Sequence, residues 1–324
     1  MQQDFPISPT HLKTLRAGAV MVRDGPALLQ IQGPGALTCL QGLLTQDLAA
    51  PGPDTLVYGA FLTPKGMIVA DAWVVREESG FLLAIDARAR ETVVALLGRT
   101  LPPRLARVTD LSDSWCGAWM IGASAPDRLA RALGCEVPGA GTVLRTQADG
   151  TVLAGGTPAA PFSVLTLGPS AAIEQLARAF LSASGHEAGT AELSAARVLA
   201  GWPTLGREID ERTLPQEVRF EENGGVSYTK GCYTGQETVA RVHFRGHVNR
   251  TLRGVVLQGG VAPEDRTLLL GEKPVGDVKS AIVLPDRVIA LAMVRREVEN
   301  GAKVRSGSRD AVVAGLPFGA EVWS

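Results

Sequence analysis

Between Tyr58 and Asp86 the chain reads YGAFLTPKGMIVADAWVVREESGFLLAID, and this stretch restricts its folding most. Apolar, strand-like runs follow one another here with only turns between them: Thr63-Pro64-Lys65-Gly66 is one turn and Glu78-Ser79-Gly80 another. Strands joined directly by turns pair antiparallel. Helical patterns flank them. ALLQIQG (27–33) has strand character and runs into GPGALTCLQGLLTQDL, where Leu37, Leu40, Leu43, Leu44 and Leu48 recur at helical spacing. DARARETVVALLGR (86–99) sets Ala89, Val93, Leu96 and Leu97 on one helical face. The order strand–helix–strand–strand–helix predicts an α+β lobe with an antiparallel sheet and excludes a doubly wound parallel one.

A similar order recurs downstream. WCGAWMIGAS (115–124) reads as an apolar strand, SAPDRLARALG (124–134) as a helix, and PSAAIEQLARAFLSASG (169–185) as another helix after turns and strands, so two related halves are expected. From residue 251 the pattern changes to short β-rich runs broken by Gly, Pro, Asp and Asn, the signature of a small barrel or sandwich. The expected domains are 1–114, 115–250 and 251–324, and 324 residues suffice for that number. Aromatic residues make up only 5% of the chain, so Leu, Val and Ala must fill most of the cores.

Function classes narrow on charge and cysteine use. A formal net charge of −1 gives no global field for nucleic acid, although local patches are not excluded. The four cysteines, Cys39, Cys116, Cys135 and Cys232, match neither a zinc site nor a disulfide framework, which points to a reducing compartment. MQQDFPISPTHLKTLRAGAV has no signal-peptide pattern, and no apolar run reaches the ~18–20 residues of a membrane span. The expectation is a cytoplasmic protein without membrane contact.

Cys232 lies in KGCYTGQET (230–238). Thr234 and Glu237 have capping-box spacing ahead of a helical stretch, and Gly231 and Gly235 permit sharp turns on either side. This predicts a sulfur two residues before a helix N-cap, with Lys230 and Arg241 nearby, a setting that favours a thiolate. A lone cysteine also serves as a small buried hydrophobe, and the residues by themselves leave both readings open. RVHFRGHVNRTLR (241–253) carries four arginines, two histidines and no acid, suited to an acidic partner or RNA, or simply to a solvated linker. His243 and His247 have helical ligand spacing but no third ligand in the stretch, so no metal site is assigned.

KGCYTGQETVARVHFRG (230–246) closely resembles the signature of the YgfZ family, relatives of the glycine cleavage T-protein, with K-G-C-Y-x-G-Q-E followed by V-A-R. LQGLLTQDL (40–48), FLTPKGMIVADAWV (61–74), ARVLAGWPTLGREID (196–210) and LPQEVRFEENGGVSYTKGCYTGQE are similar to further family segments. The resemblance implies a T-protein-like ring: two related α+β lobes and a C-terminal β-barrel around a central channel, with the cysteine loop near its mouth. It implies a folate-binding accessory factor for iron–sulfur cluster assembly or repair, not a classical enzyme. Tetrahydrofolate would be its cofactor, and iron–sulfur client or assembly proteins its partners. Cys232 would be the reactive thiol, with Lys230, Gly231, Tyr233, Thr234, Gly235, Gln236, Glu237 and Arg241 shaping its loop. Arg197 is the one candidate contact to the folate.

The alternatives are a tetrahydrofolate-dependent aminomethyltransferase and a partner- or RNA-binding module using 241–253. Against the first, Val93 stands where T-proteins are expected to carry an acid, and GGTPAAPFSVLTLG (155–168) has nothing like their G-Y-T-G-E run. Leu199 also stands where family members tend to have a glutamate that would pair with the pterin ring.

Overall fold

The computed structural model describes residues 4–319 and Val322; positions 320, 321, 323 and 324 of the expected third domain lie outside them. The chain opens with strand β1 (Asp4–Pro6), helix α1 (Pro9–Ala17) and strand β2 (Val20–Val22). The first half then runs β3 (Ala27–Gln32), α2 (Ala36–Gln41), β4 (Thr55–Leu62), β5 (Ile68–Arg76), β6 (Gly80–Ile85), α3 (Arg90–Thr100) and β7 (Arg107–Asp110). The second runs β8 (Trp115–Ile121), α4 (Ala125–Leu133), β9 (Val143–Arg145), β10 (Val152–Gly155), β11 (Val164–Pro169), α5 (Ser170–Ser182) and β12 (His186–Ala188).

These two successions are the same. Their sheets also have the same order, β4-β5-β6-β3-β7 against β9-β10-β11-β8-β12, except that β2 inserts between β8 and β12. The halves are therefore related in topology, as the sequence pattern implied. The turns at 63–66 and 78–80 make β4, β5 and β6 consecutive antiparallel neighbours. One expected helix is shorter than its leucine pattern: α2 stops before Gly42, and Leu44 instead bridges to Phe61 of β4.

Helix α6 (Thr190–Ala200) leads into an irregular segment, helix α7 (Gln236–Arg245) and the C-terminal strands. These are β13 (Arg250–Gln258), β14 (Thr267–Leu270), β15 (Lys273–Val283), β16 (Arg287–Arg295), β17 (Lys303–Ser306) and β18 (Arg309–Ala314). They pair in the ring β15-β14-β17-β18-β13-β16 and back to β15, a closed six-stranded barrel, with β1 added in parallel to the end of β15.

Strand alternation distributes the cores. In β4, Val57 and Phe61 face the core under α2 and α3, while Leu56, Tyr58 and Ala60 face a central core shared with α6 and the barrel. In β5, Ala70, Ala72 and Val74 face outward and Trp73 and Val75 inward. The second half has its own outer core beneath α4 and α5, and the barrel interior is a fourth. Few as they are, the aromatics concentrate in the centre, where Tyr58, Trp73, Trp119, Phe162, Trp202 and Phe220 pack together. Such ring pairs add about 0.5–1.5 kcal/mol each beyond the area they bury. No helix of the described residues is long and apolar enough to cross a membrane.

Candidate functional site

Alternation in β5 puts Asp71 on the same face as Trp73, toward the centre of the molecule. There it lines a cleft of about 390 Å³ at the junction of the two halves, α6 and the segment after it. Trp73 and Trp202 form part of the wall, stacked with ring centroids 5.2 Å apart and planes 15° apart. Trp119 forms another part, fixed by its indole N–H donating to the Asp24 carbonyl at 2.9 Å.

The Tyr58 hydroxyl donates to Asp71 Oδ2 at 3.0 Å. Burial pushes the Asp71 carboxyl above the ordinary carboxylate range and Asp86 adds to that, while the Tyr58 hydrogen bond and Arg197 pull it back. Arg197 projects from α6 with its guanidinium carbon 5.8 Å from the centre of the Trp119 ring. Burial lowers its pKa, opposed by Asp71, Asp86 and Asp24. Among the described residues its guanidinium has no hydrogen bond or ion pair, so its donors are open to a ligand. Arg88 is paired with Asp86, which sits at the cleft edge. Arg207 lies over the Phe5 ring at 4.5 Å and donates to Ser194 Oγ at 3.3 Å, leaving its buried Nε–H unpartnered. The cleft thus combines flat aromatic walls, one buried carboxyl whose pKa is raised and several cations.

Arg197, expected as a folate contact, stands in this cleft. Asp71 was missed. The acid was sought at Val93 of α3, which is fully buried in the outer core, so the carboxylate comes from the strand instead. Its signal was present: in ADAWVV a charged residue shares the face of Trp73 within a strand that is apolar on both sides. Leu199 is buried and lines a different cleft, across the aromatic cluster.

The cysteine loop lies along the segment 42–46. Thr45 Oγ1 donates to the Gly225 carbonyl at 2.5 Å, Gln46 Nε2 to that of Gly224 at 2.6 Å, and the Ser227 N–H to that of Thr45 at 3.0 Å. The Thr234 N–H reaches the Gly42 carbonyl at 3.0 Å. Lys230, 7% exposed, directs its ammonium into the carbonyls of Leu44 and Gln46 at 2.7 and 2.9 Å and lies beside the Tyr233 ring. Burial lowers its pKa to about 8, and the charge of Asp47 works in the opposite direction. Tyr233 is buried in the central core, which raises its hydroxyl to about 12. Cys232, between these two anchors, is exposed.

Three local expectations are corrected. The Thr234–Glu237 capping box does not form: α7 begins at Gln236 behind Gly235, whose φ of 82° is left-handed and whose side chain offers no cap. Cys232 is therefore three residues before the N-cap, outside the first turn where the helix dipole acts. Gly231 has neither positive φ nor a close neighbour, so only Gly235 is required as glycine. Finally, α7 ends at Arg245, which leaves His247 beyond the helix, while His243 pairs with Glu221 and stacks on Tyr228 at 3.7 Å.

Gln236 and Thr234 are half-buried, whereas Glu237 and Arg241 are exposed. The basic stretch is partly neutralised within the fold, since Arg250 binds Glu217 at 2.9 Å. Arg241 and Arg245 make no ion pair among the described residues and flank Phe244, which is 67% exposed. Among the described residues no group of three or more His, Cys, Asp or Glu is placed to hold a metal ion.

Residues 17–142 match the family described as the GCVT N-terminal domain. The chain is 28% identical over 305 residues to the tRNA-modifying protein YgfZ of Cronobacter sakazakii, covering 91% of each. It is 26% identical to its counterpart in Escherichia coli O157:H7, covering 93% of this chain and 94% of that one. An aminomethyltransferase of Rubrobacter xylanophilus is 29% identical over 89% of this chain and 79% of its own length. Among solved structures, the glycine cleavage system aminomethyltransferase T of Bartonella henselae superposes with a TM-score of 0.83 at 21% identity, covering 96% of this chain and 89% of that one. The resemblance to YgfZ proteins thus extends over about nine-tenths of the chain, and the fold is that of the aminomethyltransferase.

Proposed function

We propose that this chain is a folate-binding accessory factor that acts in iron–sulfur cluster assembly or repair through Cys232. The observation that carries the folate half is the first cleft, where an open guanidinium and the buried Asp71 carboxyl sit between aromatic walls. These residues fit a reduced folate: Trp73, Trp119 and Trp202 offer flat apolar surface to its ring. Asp71 offers a partner to ring N–H groups, and Arg197 and Arg207 offer partners to its carboxylates. A bound reduced folate supplies a one-carbon carrier with an oxidisable ring.

The cysteine half rests on the placement of one exposed thiol between two buried anchors, Lys230 and Tyr233. Such a sulfur is held out to a partner, and thiolates suit iron or an iron–sulfur cluster as cargo, by donating a ligand to iron. Arg241, Phe244 and Arg245 lie on the following helix and give an acidic client a surface to meet. The protein works in the cytoplasm on this reading. In cells lacking it, the wild-type gene restores the activity of a cluster-dependent enzyme and Cys232→Ala does not; full rescue by the alanine variant overturns the assignment.

Asp71 favours a second reading, tetrahydrofolate-dependent aminomethyl transfer. A carboxyl with a raised pKa inside the cleft is the type of group that exchanges a proton with a folate nitrogen. Transfer activity that Asp71→Asn abolishes and Cys232→Ala leaves intact would establish it.

A further inference from the structure

Glu208 is a buried carboxyl that the first cleft does not use directly. It is 3% exposed, and neither it nor its buried partner Ser280 lines the cleft. Its Oε1 accepts from the Ser280 hydroxyl at 2.5 Å, and its Oε2 accepts from the Thr204 N–H at 3.0 Å. Burial pushes the carboxyl up, while these two hydrogen bonds and Arg207 pull it back. Leucine fills similar space without that cost, so what a carboxyl adds here is its two contacts.

Both contacts bear on one loop. The Thr204 carbonyl accepts from the N–H groups of Arg207 and Ile209 at 3.1 and 3.2 Å, and the Gly206 N–H donates to the Ile209 carbonyl at 2.7 Å. Thr204, Leu205 and Arg207 of this tight turn line the first cleft, whereas Glu208 reaches barrel strand β15. The barrel presents Ser280 through a bulge: Val278 pairs with Ala292 and Ser280 with Leu291, which makes Lys279 an extra residue. A strict period of two puts Ser280 inside the barrel with Val278. The bulge instead puts Ala281 inside and leaves Ser280 on the face of Ile282, toward the central core. The same strand reaches Arg207 by a second route, since Phe5 of β1 pairs with Ile282 and the Arg207 guanidinium lies over the Phe5 ring at 4.5 Å. Residues 280–282 thus meet two consecutive loop residues, Glu208 directly and Arg207 through Phe5.

We infer that Glu208 is a positioning residue: held between Thr204 and Ser280, it lets the barrel set Arg207 against the carboxylate tail of a ligand in the first cleft. This rests on the folate reading of that cleft. Glutamine preserves both contacts, because its amide oxygen accepts from Thr204 and its amide N–H donates to the Ser280 oxygen; leucine makes neither.

Calorimetric titration of the full chain with tetrahydrofolate and with tetrahydropterin, which has the ring but no carboxylate tail, tests this. Glu208→Leu weakens tetrahydrofolate binding about tenfold, Ser280→Ala about threefold or more, and Glu208→Gln keeps it within about twofold of the wild type. Tetrahydropterin affinity changes less than about twofold in all three, because Arg207 has no tail to hold; a general loosening of the cleft weakens both compounds. In an Arg207→Met background, Ser280→Ala has no further effect on tetrahydrofolate. Ser280→Ala removes one oxygen and serves alone if Glu208→Leu does not fold, and the Arg207→Met pairing decides the case if tetrahydropterin binds too weakly to measure. Wild-type binding that Ser280→Ala leaves unchanged overturns this inference alone, as does an equal loss for the two compounds or additivity with Arg207→Met. Absence of tetrahydrofolate binding to the wild type overturns the folate reading and this inference with it.

Discussion

Asp71 contributes a carboxyl that the fold holds at a cost. Burial raises its pKa, so the folded protein keeps a proton there that the unfolded chain releases, and wild-type stability falls as pH rises from the unfolded value of 3.8 through the raised folded one. Asparagine carries no charge at any pH and its amide oxygen still accepts from Tyr58. Asp71→Asn is therefore expected to match the wild type in acid and to exceed it in urea-unfolding free energy at neutral pH. An advantage that shrinks as pH rises would contradict this account of the residue. The sequence shows this acid only to a reader who follows the period of two through β5 and asks what a charge is doing beside Trp73. The helical position that attracted attention, Val93, proves to be ordinary core.

The cysteine loop and the segment 42–46 behave as one element, although nearly two hundred residues separate them. Both were visible in the sequence as distinctive runs, LQGLLTQDL and KGCYTGQE; their contact was not, because hydrogen bonds to backbone carbonyls leave no side-chain pattern to read. The helix start was misread for a related reason. Spacing suggested Thr234 as the cap, but Gly235 lies against β5's entry turn, where an added Cβ would come within 2.6 Å of the Thr63 carbonyl oxygen. Combined with its φ of 82°, this predicts that Gly235→Ala costs about 2–4 kcal/mol in chemical denaturation. Gly231→Ala, with nothing within 4 Å of the new methyl group, is expected to change stability by about 0.5 kcal/mol or less. Equal effects of the two substitutions would show that the loop is not seated on the first sheet as described.

At the scale of the whole molecule, turn signals and apolar periods sufficed to read two similar α+β halves and a β-rich end, because each depends on neighbours in sequence. Three features were out of reach. The insertion of β2 into the second sheet, the addition of β1 to the barrel and the assembly of the first cleft from Phe5, Asp71, Trp119, Arg197 and Trp202 all join distant segments. That assembly is where the central claim lies, since it supplies both the aromatic walls and the charges for a folate. The most direct measurement is a calorimetric titration of tetrahydrofolate into the wild-type chain and into Arg197→Met. One-site saturable binding that weakens about tenfold or more in the variant is the predicted result. Absence of binding to the wild type, or equal affinity in the two proteins, would contradict it.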